Sequence, residues 1–250
     1  MLVIAHRGAS GEYPENSLLA ITKAFEQNAD GVEIDVQFHQ ESGEFIVFHD
    51  RTLERLTDKK GTINSYSLTQ LLQTPIGENQ YLITLSQAIT VIPPEKTLNI
   101  ELKISHCQQN IIEQLSNRLQ SILKQAVQQQ QITWKQVYIS SFNHHLIHYC
   151  NTLMPTVKTA ALISHSPLDH AAVSEQLNVV GVNQEINHLN QEFVIDAHQR
   201  GLSCWVFTVD SEKDIMQCLA WGVDGIFTNY PQQTRRIMAR NTNPYKKVIA

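Results

Sequence analysis

The chain is poor in cysteine, with four in 250 residues: Cys107, Cys150, Cys204 and Cys218. No two of them form a Cys-x-x-Cys pair, which removes a zinc knuckle and a thioredoxin-type redox motif from consideration. All four are expected to be reduced core residues. Any run of about 18 apolar residues is also absent, so no membrane span is expected. The MLVIA that precedes His6 falls far short of the apolar region of a signal peptide, and the expected location is cytoplasmic. Glycine (10) and proline (8) are sparse beside a hydrophobic fraction of 42% and a charged fraction of 17%. That is the composition of a globular protein, neither fibrous nor disordered. Lys and Arg are outnumbered 19 to 24 by Asp and Glu, for a net charge of −5 and a pI near 6.1. No nucleic-acid partner is expected from so weak a basic footprint, although a local anion pocket stays compatible with it.

What the chain has instead is a regular alternation. Short runs rich in Val and Ile occur at 2–6, 31–38, 97–103, 137–141, 157–163, 179–183, 202–209 and 224–228. Segments of helical period fall at about 16–28, 84–92, 107–131, 143–153, 169–177, 190–200, 211–221 and 230–240. Eight strands each followed by a helix predict an α/β fold, a (β/α)8 TIM barrel, and a chain of this length fits one such unit. The expected domain is residues 1–240, with 241–250 a C-terminal tail.

One apolar run is left over. GEFIVFHD at 43–50 follows the second strand after HQESG, a link too short for a crossover helix, so the two runs must form a hairpin. A turn centred near Ser42 places residue 49 opposite residue 35 and carries His49 back beside Asp35. Residues 51–83 are polar and turn-rich, and are expected to be a small insertion over the barrel mouth with little core of its own.

Active sites of such barrels lie at the C-terminal ends of the strands, so polar residues that interrupt apolar runs there are the candidates. They are His6 and Arg7, Glu33 and Asp35, His49, and Glu101 and Lys103. A period of two puts Glu33 and Asp35 on one face of their strand, with Val32, Ile34 and Val36 on the other. Buried carboxylates are costly unless paired or bound to metal. Three of them from adjacent strands make an oxygen-rich site that suits a hard divalent metal ion, Mg²⁺ or Ca²⁺. The alternative is an ion-pair network in which Arg7 and Lys103 neutralise the acids without metal. His6 and His49 titrate near neutrality and can act as general base and general acid, in either order. Arg7 and Lys103 offer fixed charge to phosphate oxygens. Together these residues predict metal-assisted phosphoryl transfer.

HRGASGEYPENS, VEIDVQ, IVFHDRTLERLT, NIELK, ISSF and GVDGIFTNYP, in this order and spacing, resemble the glycerophosphodiester phosphodiesterase family, distantly similar to phosphatidylinositol-specific phospholipase C. The resemblance runs from Leu2 to about Ile237. It implies hydrolysis of a small-molecule glycerophosphodiester to glycerol 3-phosphate and an alcohol. It also implies metal ligands at Glu33, Asp35 and Glu101, acid/base histidines at His6 and His49, and phosphate contacts from Arg7 and Lys103. Phe142, in ISSF, is expected at the mouth, packing against the glycerol carbons or simply closing its strand. The expected assembly is a monomer or a homodimer.

Three departures from the family pattern bear on the substrate. Phe207-Thr208-Val209-Asp210 stands where an aromatic followed by Thr-Val-Asn is common, so Phe207 replaces Trp or Tyr at the pocket wall. Trp205, on the same strand face, either compensates or belongs to the core. Asn229 stands where Asp is frequent. Asn16 is expected to cap the first helix or to contact Glu15 and the HRG loop. A lysophospholipase D would need an apolar surface near the mouth, and Tyr66, Leu68, Leu71, Leu72 and Tyr81 of the insertion keep that reading open.

Overall fold

A computed structural model of the protein describes residues 1–104 and 109–241. In chain order the first half runs β1 (Leu2–His6), α1 (Leu18–Glu26), β2 (Gly31–His39), β3 (Glu44–Val47), α2 (Leu68–Leu72), β4 (Pro75–Gly77), β5 (Gln80–Tyr81), β6 (Ile83–Thr84), α3 (Leu85–Ile89) and β7 (Thr97–Lys103). The second half runs α4 (Gln109–Gln128), β8 (Val137–Ser141), α5 (His144–Leu153), β9 (Lys158–Ile163), β10 (Gly181–Glu185), α6 (Gln191–Gln199), β11 (Ser203–Phe207), α7 (Glu212–Trp221), β12 (Gly225–Thr228) and α8 (Pro231–Asn241). Strands β1, β2, β7, β8, β9, β10, β11 and β12 pair in parallel in that order, and β12 returns to β1. The expected (β/α)8 barrel is therefore closed, with no free edge.

Alternation along the strands separates two environments. Val32, Ile34 and Val36 are 0–1% exposed and belong to a core cluster that includes Ile21 and Ala24 of α1. The opposite face of the barrel wall looks inward, where Ile4, Trp205 and Phe227 form an interior plug with Tyr138 and Phe207 against it. The Trp205 ring lies 4.9 Å from Tyr138 and 5.7 Å from Phe227, so its role is core packing. Cys150, Cys204 and Cys218 are buried and unpaired, as expected; Cys107 lies outside the described residues.

Three local readings need correction. After β9 the predicted helix at 169–177 is only a 3₁₀ turn, His170–Ser174. Val173 is exposed and only Ala171 and Leu177 pack inward, too narrow an apolar stripe to support an α-helix. The hairpin register differs by one residue: Val36 pairs with Val47, and Phe48 N–H donates to Asp35 O at 3.0 Å. Phe48, not His49, stands opposite Asp35, and His49 follows one residue past the ladder. The insertion also has a core after all, in which Leu53, Ile63, Leu71, Ile76 and Leu82 pack on Ile46 and Phe48 of the hairpin. Its apolar residues are spread among turns, which hides them from a periodicity test.

The first helix docks through a glycine. Gly8 has φ +79°, and a Cβ there would lie 2.5 Å from the Ala20 carbonyl carbon. Gly8→Ala is therefore both strained and overpacked, each at a cost of roughly 1–3 kcal/mol. A fall in melting temperature of about 5–20 °C is expected in a thermal melt; an unchanged melt would mean that α1 shifts away freely.

Candidate active site

Register places the polar residues side by side. His6 pairs with Glu33 across β1 and β2, and Asp35 pairs with Glu101 across β2 and β7. Because each is two residues from the next inward-facing position, all project into the barrel near the strands' C-terminal ends. Glu33, Asp35 and Glu101 are 2%, 0% and 8% exposed, and each offers a carboxylate oxygen within 4.8 Å of the other two.

The charges around this trio are unevenly compensated. Asp35 receives most of the positive charge: Lys103 Nζ is 3.2 Å from Oδ1 and Arg7 Nε is 3.2 Å from Oδ2. Burial works against ionisation of Asp35, but Lys103 and Arg7 outweigh it and hold the carboxyl below the usual range. Lys103 also contacts Glu101 Oε1. Burial and then the Asp35 charge nevertheless push Glu101 up to about 7. Glu33 fares worst: burial, followed by Asp35 and Glu101, raises it well above the carboxylate range. Its Oε2 accepts from the Arg7 backbone N–H at 2.9 Å, while Oε1 is buried without a hydrogen bond.

This arrangement fits a bound divalent cation better than a self-sufficient ion-pair network. One oxygen of each acid (Glu33 Oε1, Asp35 Oδ1 and Glu101 Oε1) is buried without a well-aligned hydrogen bond. Lys103 approaches two of these oxygens and leaves the third bare. Three carboxylates meeting in so small a space are an oxygen donor set suited to Mg²⁺ or Ca²⁺.

Arg7 is positioned by its backbone as much as by its charge. Its φ of +57° is unfavourable for a residue with a side chain, and the N–H bond to Glu33 and the ion pair with Asp35 hold it there. Arg7 Nη1 also donates to Glu15 at 3.0 Å. Glu15 is gripped in turn by Arg55 of the insertion, whose Nη1 and Nη2 donate at 2.9 and 2.7 Å. Arg55 also contacts Asp50, which holds the Asp50 carboxyl down at about 2. The insertion is thereby tied to the loop that carries Arg7.

The two histidines sit in different settings. His6 is half-buried, and desolvation, then the neighbouring Arg7 charge, lowers it to about 4. Its Nδ1 lies 2.8 Å from Asn229 Oδ1. His49 is more open; its Nδ1 donates to Asp50 Oδ1 at 2.7 Å. Burial lowers its pKa as well, with Asp35 acting against that and Lys103 with it. His6, Glu33, Glu101 and Phe207 share a small cavity with Asn99, Leu162 and Phe227. Phe142 is 44% exposed and meets Phe207 edge-on at 5.9 Å, with Lys103 Nζ 5.8 Å from its ring centre.

Several partners at the site were not legible as such. Asn16 is not the helix cap; Ser17 is, its hydroxyl accepting from Ala20 N–H. Asn16 turns inward at φ +59°, donates through Nδ2 to Asp35 Oδ2 at 2.9 Å and accepts from Asp35 N–H at 3.2 Å. Its backbone N–H donates to Arg7 O, which is the contact with the HRG loop. Asn229, Asp210 and Ser10 gather around His6 from three separate segments. Only the two departures from the family pattern marked Asp210 and Asn229 in advance.

A closed barrel whose mouth collects three buried carboxylates, two histidines and two cations has the equipment of a barrel hydrolase that acts on phosphate esters. The model of the glycerophosphoryl diester phosphodiesterase family matches residues 6–233. A glycerophosphodiester phosphodiesterase of Bacillus altitudinis is 30% identical over 253 residues, covering 94% of this chain and 97% of the relative. Another from Bacillus subtilis is 29% identical, covering 95% and 86%. Among solved structures, a phosphodiesterase of Oleispira antarctica in complex with the product sn-glycerol-3-phosphate superposes with a TM-score of 0.86 at 29% identity, over 96% of this chain and 97% of that one. The chain belongs to the glycerophosphoryl diester phosphodiesterase family and is a phosphoric diester hydrolase.

Among the described residues, no helix is long and apolar enough to cross a membrane.

Proposed function

We propose that the protein hydrolyses water-soluble glycerophosphodiesters, such as glycerophosphocholine or glycerophosphoethanolamine, to glycerol 3-phosphate and the free alcohol. The observation that carries this reading is the buried carboxylate trio, with Glu33 Oε1 bare and a single lysine shared by Asp35 Oδ1 and Glu101 Oε1, flanked by His6 and His49. Glu33, Asp35 and Glu101 would hold one Mg²⁺ or Ca²⁺, which when bound supplies Lewis-acid stabilisation of charge on a phosphate oxygen. Arg7 and Lys103 orient the phosphate through its remaining oxygens. Phe142 and Phe207 pack against the glycerol carbons. One histidine removes the proton from the attacking oxygen, either water or the neighbouring glycerol hydroxyl, and the other protonates the departing alcohol. Water-soluble substrates are favoured over lysophospholipids because three of the insertion's five apolar candidates are spent on its own core, Leu71 buried there with Tyr66 and Leu68 packed against it, which leaves Tyr81 as an isolated exposed ring.

The test is release of glycerol 3-phosphate from both substrates by the purified protein, with EDTA and then with Mg²⁺ or Ca²⁺ added back. EDTA is expected to abolish turnover and metal to restore it. Binding independent of turnover is read from a melt: metal at about 100 times its Kd stabilises by about 2.7 kcal/mol, an upward shift of about 5–10 °C. Turnover that is indifferent to EDTA, with no shift in the melt, would leave the trio as an ion-pair network.

A further inference from the structure

Between β11 and β12 the barrel carries a polar chain that ends on His6. Asp210 grips Asn229 twice: Oδ1 accepts from the Asn229 backbone N–H at 2.8 Å, and Oδ2 from its side-chain Nδ2 at 2.6 Å. Oδ1 also accepts from Thr228 Oγ1 at 2.9 Å, which anchors the carboxylate to the strand end. With Nδ2 committed to a carboxylate, the amide of Asn229 has one admissible orientation, since a flip would set its carbonyl oxygen against Asp210. Asn229 Oδ1 is thereby turned towards His6 Nδ1 at 2.8 Å and Ser10 Oγ at 2.8 Å. An amide oxygen can only accept, so Nδ1 of His6 must carry a hydrogen. The lone pair of the neutral ring is left on Nε2.

We propose that Asp210 is a positioning residue that acts through Asn229 to fix the ring orientation and the Nδ1–H tautomer of His6, leaving Nε2 as the nitrogen that meets the substrate. The proposal rests on the acid/base role given to His6 above. It also unites two departures from the family pattern: the acid at 210 and the amide at 229 are one reciprocal exchange across a 2.6 Å hydrogen bond. His49 has no such intermediary, as its Nδ1 donates straight to the Asp50 carboxylate.

Three variants test this: Asp210→Asn, Asn229→Asp, and the double exchange Asp210→Asn/Asn229→Asp. In Asp210→Asn the neighbouring amides no longer dictate which end of Asn229 faces His6. In Asn229→Asp two carboxylates meet. Each single change is expected to lower kcat by about 10- to 100-fold, the range for loss of a partner that orients a functional histidine, with KM changed by less than about threefold. The double exchange restores a donor opposite an acceptor, and is expected to recover kcat to within about fivefold of the parent. In parallel, ¹⁵N spectra of the histidine-labelled protein report the His6 tautomer directly: hydrogen on Nδ1 in the parent and the double variant, a mixture in Asp210→Asn.

Parent-like kcat in Asp210→Asn, a double variant no better than the singles despite an unchanged melt, or hydrogen on Nε2 in the parent would each overturn the proposal. A fully active His6→Gln variant would instead remove the acid/base role of His6, and the ¹⁵N measurement separates that failure from this one.

Discussion

Asp35→Asn is expected to lower kcat/KM by about a thousandfold and to remove the metal-induced rise in melting temperature. Removing several kcal/mol of charge stabilisation corresponds to a loss of that order. Asp35 is the hub of the site: it pairs with Arg7 and Lys103, exchanges two hydrogen bonds with Asn16 and is the register partner of Glu101. Asparagine keeps the volume and removes the charge, so two cations lose their shared partner while the fold keeps its packing. The measurements are steady-state release of glycerol 3-phosphate and calorimetric titration with Mg²⁺ and Ca²⁺. Retention of tight metal binding with most of the rate would transfer the ligand role to Glu33 and Glu101 alone and break the proposed trio.

His6→Ala and His49→Ala are each expected to lower kcat by about 10²- to 10⁴-fold, the usual contribution of a positioned acid or base. KM is expected to move less, and metal binding, read from the melt, is expected to survive. In the double variant the losses should fall short of multiplying, because the two groups serve one proton-transfer sequence. Folding should tolerate both changes. Asn229 Oδ1 keeps the Ser10 hydroxyl, whose one hydrogen it shares with the backbone carbonyl of residue 6, when the His6 side chain is lost, and Asp50 keeps Arg55 when His49 is lost. A variant of either histidine that retains most of its metal-dependent rate would remove that residue from the chemistry.

Much of the architecture is written in local patterns. The alternation of short β-branched runs with helical segments identifies the eight barrel strands, because each pattern reflects which faces a segment must bury. The same period of two separates Glu33 and Asp35 from Val32, Ile34 and Val36; the apolar three join the core cluster with α1, and the two acids meet Glu101 on the other face. Where the apolar stripe is thin, as at His170–Ser174, the pattern promises more helix than packing can support. The hairpin register turned on a single residue of turn geometry, which composition does not encode.

The sequence by itself determined the barrel, the family and the set of chemically able side chains, since strand period and motif spacing act over a few residues. Tertiary structure decided which of those side chains are compensated. Lys103 favours Asp35 and Glu101 over Glu33, Arg55 of the insertion reaches back to Glu15, and Asp210 aims Asn229 at His6 across a separation of more than 200 residues in the chain. These contacts depend on closure of the barrel, which brings β1 against β12 and the hairpin against the first loop. Burial then fixes their strength, because a charge or an amide removed from water is held by whichever partner the fold delivers.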